Sequence, residues 1–269
     1  MSPTTELTIR IACAVTVFAV MALWEALAPR RKMVAGRQPR WPGNIGIFLI
    51  DIAAVRLLVP TAAVGVALVA TERGFGLLHH LPLPYWAAFL LGFLALDLTI
   101  YLQHRLFHAV PLLWRFHRMH HADVDIDVTT GNRFHPVEIL LSMAIKIAAV
   151  LALGVPAAAV VAFEVVLNAS SMFNHSNVAL PAALEPLARW LVVTPQMHQV
   201  HHSVERDETD SNFGFNLPWW DRLFRTYRAA PKAGEAGVVI GLPEFREPRE
   251  RGVISLLTQP FRNARDRAR

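Results

Sequence analysis

Long apolar runs broken by short polar stretches fill the first two thirds of the chain. Residues 7–28, from Leu7 to Ala28, are mostly apolar over the roughly 20 residues that a bilayer-crossing helix needs. The run is long for a signal peptide. It is followed by Arg30-Arg31-Lys32 rather than by a small-residue cleavage site, which predicts an uncleaved first helix. Residues 46–70 predict a second span that tolerates Asp51, Arg56 and Pro60, and residues 84–103 a third, from Pro84 through Leu102. The stretch 138–172 is long enough for two passes, but Gly154-Val155-Pro156 interrupts it. It predicts a helical hairpin or a broken helix that dips in and returns, with a single long span as the alternative. The expected fold is all-α, an integral membrane helical bundle of about four to five membrane-embedded helices under a cytosolic helical cap.

Charge orients this bundle. Arg30, Arg31, Lys32, Arg37 and Arg40 lie between the first two spans, so that loop belongs inside and the N-terminus outside. Loop 71–83 then lies outside, and the segments after residue 103 and around 138–172 open to the cytoplasm. The chain turns polar after about residue 203; Pro231 to Gly241 reads as a loop, and the segment from Phe245 as a short amphipathic or loosely ordered tail. The expected organisation is 1–80 as N-terminal membrane spans, 81–230 as a catalytic domain and 231–269 as a cytoplasmic tail.

Composition supports the membrane reading and removes other classes. Of 269 residues, 54% are hydrophobic and 17% charged, against about 25% charged in an average soluble domain. The net charge is +5, and the basic residues gather at 30–40 and 246–269. Such flanks suit anchoring near anionic lipid better than a nucleic-acid face, which wants interleaved aromatics. Cys13 is the only cysteine, which excludes an internal disulfide, a cysteine-ligated zinc site and an iron–sulfur cluster.

Ten of the twelve histidines carry the candidate chemistry. His104 and His108 form HxxxH; His117, His120 and His121 form HxxHH; His198, His201 and His202 repeat it; His135 and His175 stand between. Residues three or four apart share a helix face, whereas adjacent ones diverge by about 100°. His120 and His121 can therefore address different ions, as can His201 and His202. Thr194-Pro195 predicts an N-cap ahead of the last box. His135 precedes Pro136, which biases it to extended backbone at the mouth of a helix, with Glu138 in the first turn. So many imidazoles beside apolar spans need a common partner. Nitrogen ligands suit zinc, copper, iron or nickel. HExxH is absent, and eight to ten imidazoles fit two ions better than one. His79 and His80 read as surface residues of the outer loop.

The motifs DLTIYLQHRLFH (97–108), RFHRMHH (115–121), NRFHPVE (132–138), NHSN (174–177), HQVHHS (198–203), Asn212-Phe213-Gly214 and WDRLFRTY (220–227) together resemble the fatty acid hydroxylase and sterol desaturase superfamily of membrane di-iron enzymes. The resemblance covers about residues 95–228; residues 1–80 share only their apolar spans. It implies two non-haem iron ions and O₂ as co-substrate. The reaction it implies inserts oxygen into an unactivated C–H bond of a lipid, a fatty acyl or alkyl lipid or a sterol-like molecule, or removes hydrogens from it. It implies as ligands His104, His108, His117, His120, His121, His198, His201 and His202, with His135 and His175 matching outlying histidines, one of which could bind through water. No catalytic residue separate from the ligands is implied.

No haem, flavin or iron–sulfur motif is present, so electrons must come from an external donor, cytochrome b5-like or a ferredoxin with its reductase. The lipid would come from the bilayer. Phe89, Phe93, Leu96, Phe163 and Leu167 could line its channel or be plain helix contacts. Asp97, seven residues before His104, Glu164, eleven before His175, Asn174 and Asp221 are candidates to orient ligand imidazoles. The acidic run Asp123, Asp125, Asp127 reads as a solvated loop. A His-rich membrane metal transporter, a zinc-dependent membrane hydrolase and a bis-histidine cytochrome are the rival readings.

Overall fold

A computed structural model describes residues 3–262. Among them there is no strand, only a single antiparallel bridge between Ser203 and Ile240. Nine helices matter here: α1 (Pro3–Leu27), α2 (Trp41–Leu58), α3 (Ala62–Glu72), α4 (Tyr85–Ala109), α5 (Pro111–His121), α6 (Pro136–Leu153), α7 (Ala157–His175), α8 (Glu185–Leu191) and α9 (Pro195–His201). Five segments are long and apolar enough to cross a membrane: Thr4–Leu27, Trp41–His80, Tyr85–Ala109, Pro136–Leu153 and Ala157–His175. The all-helical membrane bundle expected from the sequence is the fold observed.

The second span differs from expectation. Residues 46–70 are not one helix, because Pro60 has no N–H to donate and its ring crowds the preceding turn. The Val59 N–H closes α2 on the Val55 carbonyl, and α3 starts at Ala62, whose φ is 46°. The 138–172 stretch is the expected helical hairpin. Gly154 ends α6 in the left-handed region (φ 69°), and Pro156 is the N-cap of α7. A side chain at Gly154 would strike Phe75 and His79, so both backbone conformation and close approach demand glycine there.

α4 is the central helix, packed on α6 and α7, while α3 covers both and α1 lies along α7. Leu96, Ile100, Val150, Ala159 and Phe163 are buried together between them. Val110 is extended before Pro111, so α5 turns away from α4 into the cap. The C-terminal ends of α4 and α7 and the N-terminal end of α6 thereby meet at one end of the bundle.

Two cap features differ from expectation. The acidic run is buried, not solvated. Arg40 is fully buried and pairs with Asp123 and Asp127 at 2.6 Å each. Asp125 accepts the backbone N–H groups of Val34, Ala35 and Gly36 at 2.7, 2.8 and 3.1 Å. The basic loop after α1 folds onto this acidic loop, so part of the charge assigned to lipid anchoring is internal. Burial alone would raise the Asp123 carboxyl, but Arg40 and Arg133 outweigh it and hold it well below the usual carboxylate range. The C-terminal segment is also built in. Leu256, in the short helix Val253–Thr258, is buried with Ile47 of α2 and Met119 of α5. The expected tail continues past Arg262, and its residues 263–269 lie outside the described residues.

Candidate metal centre

Nine imidazoles, each at most 3% exposed, converge in the cap beneath the bundle. His104 and His108 come from the last turns of α4, His117, His120 and His121 from α5, His175 from the end of α7, and His198, His201 and His202 from α9 and its C-terminal cap. They fall into two groups: His104, His108, His117, His121 and His201, and His120, His175, His198 and His202. Within each group the available ring nitrogens all lie within 4.8 Å of one another. The neighbours His120 and His121 enter different groups, as do His201 and His202, because a helix turns about 100° per residue.

Hydrogen bonds fix the tautomers of four rings. The Nδ1–H groups of His104, His201, His120 and His175 donate to the carbonyls of Phe213 (2.7 Å), Ser211 (2.7 Å), Arg133 (3.0 Å) and Ser171 (2.7 Å). In a neutral imidazole that leaves Nε2 as a bare lone pair. Yet Nε2 of His104 faces Nε2 of His201 at 3.0 Å, and Nε2 of His120 faces that of His175 at 3.1 Å. Two lone pairs at that distance repel unless a cation lies between them. A shared proton is disfavoured, because burial first and the neighbouring imidazoles second hold His120 and His201 well below the usual imidazole pKa. Two nitrogens each about 2.0–2.1 Å from one ion stand about 3 Å apart at a right angle. The donor set therefore fits one metal ion per group. Orphaned nitrogens agree: His108 Nε2, His198 Nδ1 and both nitrogens of His202 have no hydrogen-bond partner.

His117 links the groups to the membrane helices. Its Nε2 lies 3.1 Å from that of His104 and 3.2 Å from that of His121, and its Nδ1 meets Glu138 Oε1 at 2.7 Å. A carboxylate at Nδ1 fixes the ring and makes Nε2 a stronger donor to an ion. His108 has a similar, half-exposed partner in Asp210 at 3.1 Å.

His135 is the expected ligand that the structure does not bring to either group. Its Nδ1 accepts the Val137 N–H at 3.2 Å, capping α6, and its Nε2 lies 3.2 Å from the Leu257 carbonyl. Pro136 sets this outcome, since the residue before it becomes the N-cap while the first turn swings Glu138, rather than His135, to His117. Of the four expected orienting residues, none touches an imidazole. Asp97 accepts the Trp220 indole N–H at 2.8 Å, and Asp221 accepts the N–H groups of Phe213 and Gly214 at 2.8 Å. Together they hold the loop whose Phe213 carbonyl orients His104. The Asn174 amide donates to the Phe215 carbonyl at 3.1 Å. Glu164 pairs instead with Lys146 at 2.5 Å and Arg10 at 2.6 Å. His79 and His80 are exposed, as expected.

The centre opens on a cavity of about 750 Å³. His104, His117, Phe107 and Phe215 line its inner end, and Ile11 of α1 and Ile52 of α2 its outer end. Of the five expected channel residues only Leu167 lines it; Phe93, Leu96 and Phe163 are helix contacts of the core.

A membrane-helix bundle capped by two imidazole clusters defines a class of protein before any comparison. Comparison places it: a model of the family described as fatty acid hydroxylase matches residues 89–226, half of the chain, and the chain belongs to that family. It is 29% identical over 251 residues to the ornithine lipid hydroxylase OlsE of Rhizobium tropici, covering 90% of this chain and 72% of that protein. It is 32% identical to the alkylglycerol monooxygenases of Xenopus tropicalis and Homo sapiens, over 54% and 51% of this chain. It spans only 31% and 30% of their lengths. No solved structure matches it significantly.

Proposed function

We propose that the protein is a membrane di-iron oxygenase that uses O₂ and electrons from an external donor to hydroxylate a C–H bond of a lipid. The observation that carries this reading is the pair of buried Nε2···Nε2 contacts at 3.0 and 3.1 Å, one in each group, at the inner end of an apolar cavity. Nine histidines would hold two iron ions: His104, His108, His117, His121 and His201 one, and His120, His175, His198 and His202 the other. Iron bound there supplies O₂ activation and the oxidising power for C–H cleavage.

The chain's own residues do the rest. The carbonyls of Phe213, Ser211, Arg133 and Ser171 keep protons on Nδ1, so that the Nε2 lone pairs would be free to hold the ions. Glu138 keeps the proton of His117 on Nδ1. Ile100, Phe107, Phe134 and Phe215 exclude water and guide one carbon of the substrate toward the imidazoles. The lipid enters between α1 and α2, where Ile11 and Ile52 are 54% and 43% exposed. The names of the relatives, a lipid hydroxylase and two lipid monooxygenases, favour hydroxylation over desaturation. The basic loop 30–40 supports a cytoplasmic site with the N-terminus outside. The donor is cytochrome b5-like or a ferredoxin with its reductase.

Comparative lipid analysis of a host expressing the chain or its His120→Ala variant tests the reading. A lipid that gains one oxygen only with the intact chain is expected, together with iron in the purified protein. Zinc without iron, or identical lipids in both hosts, overturns it.

A further inference from the structure

Among the described residues lining the cavity, Asp51 is the one acid that no other residue answers. It lies in the middle of α2, is 5% exposed, and neither carboxylate oxygen has a hydrogen-bond partner. It lines the same cavity as His104 and His117. The other acids along that wall are engaged: Glu6 with Arg10 at 2.9 Å, Glu164 with Arg10 and Lys146 at 2.6 and 2.5 Å, and Glu138 with His117 at 2.7 Å. An unpaired carboxylate in an apolar wall at membrane depth is costly, and such residues mark ligand paths. No described residue supplies its complement.

One other charge lining the cavity has no partner among the described residues. Arg56, five residues further along α2, is exposed at the cavity and makes no hydrogen bond or ion pair. The two unanswered charges are opposite in sign and lie on one helix. A molecule carrying both an ammonium and an acidic group neutralises both.

We propose that Asp51 binds the ammonium group of an amine-bearing lipid, with Arg56 facing the lipid's acidic group and the remainder of the molecule reaching along the cavity to His104 and His117. This deepens the hydroxylase reading by naming a substrate class, and it rests on that reading for the reaction though not for the binding. A charge-assisted hydrogen bond in a dry site is about two times stronger than a neutral one, so removing the carboxylate charge should weaken ammonium binding tenfold or more.

Binding to metal-free protein in detergent separates the two claims. Dilauroyl phosphatidylethanolamine is compared with its N-acetyl derivative, and dodecylammonium with dodecanol, each by calorimetry on wild type, Asp51→Asn and Asp51→Glu. Wild type is expected to prefer the amine of each pair at least tenfold. Asp51→Asn should lose the preference while keeping its affinity for the neutral member, and Asp51→Glu should restore part of it. Unchanged metal uptake by Asp51→Asn checks that the cap remains folded. Equal binding of amine and neutral lipid by wild type, or an undiminished preference in Asp51→Asn, overturns the proposal. Failure of the iron-loaded protein to oxygenate any lipid would overturn the hydroxylase reading and leave the binding result standing.

Discussion

Glu138 is the residue through which the membrane helices act on the centre. It lies in the first turn of α6, twenty-one residues from His117 in sequence and 2.7 Å from it in space. Glu138→Gln keeps an acceptor for the Nδ1–H but removes the charge that makes Nε2 basic. It is expected to lower affinity for the ion held by His117 about 10- to 100-fold, measured by competition with a chelator, with helix content unchanged. His135→Ala is expected to behave oppositely: metal content stays at the wild-type level, while stability drops by about 0.5–2 kcal/mol through loss of the α6 cap. Retention of the full metal complement would separate His135 from the nine imidazoles that converge. In sequence these ten histidines look alike. The boxes are legible because residue type and i, i+3, i+4 spacing are local properties. The role of His135 depends on where the turn at Pro136 points, and that of Glu138 on a packing contact between α5 and α6; neither is encoded in spacing. A carboxylate three residues after an outlying histidine, in a first helical turn, was the one signal available for Glu138.

At the scale of elements, the helices were legible wherever apolar length and a glycine or proline agreed, as at Gly154 between α6 and α7. The break between α2 and α3 carried the same signal in Pro60. The surrounding apolar run concealed it, because hydropathy measures transfer and is blind to backbone continuity. The connection between α1 and α2 was the least legible. Its arginines and the acids at 123–127 are more than eighty residues apart, and each set alone looks solvent-facing. Their union makes a prediction. Arg40 bridges Asp123 and Asp127 in full burial, so Arg40→Ala leaves two buried carboxylates facing each other. A loss of about 3–5 kcal/mol is expected, visible as a large fall in the thermal unfolding temperature in detergent. Arg40→Lys should rescue little, because one ammonium cannot replace a planar fork that reaches both acids. Since α5 and the loop after it carry three of the imidazoles and the carbonyl that orients His120, metal uptake should fall with stability in both variants.

For the whole molecule, nine buried imidazoles at one end of the bundle couple folding to acidity. Burial holds His117 at about 3. Burial, reinforced by neighbouring rings, holds His120, His121, His198, His201 and His202 well below the usual value of about 6.5. These bases remain neutral in the folded chain and take up protons once it unfolds. Below pH about 6.5 the unfolded state therefore binds more protons, and stability falls as pH falls. Each such group contributes up to about 1.4 kcal/mol per pH unit until its own folded pKa is reached. Several acting together make the loss steep. The metal-free protein is expected to be most stable near neutral pH and to unfold cooperatively between about pH 6 and 4, followed by thermal unfolding across a pH series. Because an ion and a proton compete for the same Nε2 lone pairs, iron loading should move that transition to lower pH and release protons on binding. A stability that is flat from pH 7 to 4 in the metal-free protein would mean that the rings are not buried together, and the paired Nε2 contacts on which the proposed centre depends would go with them.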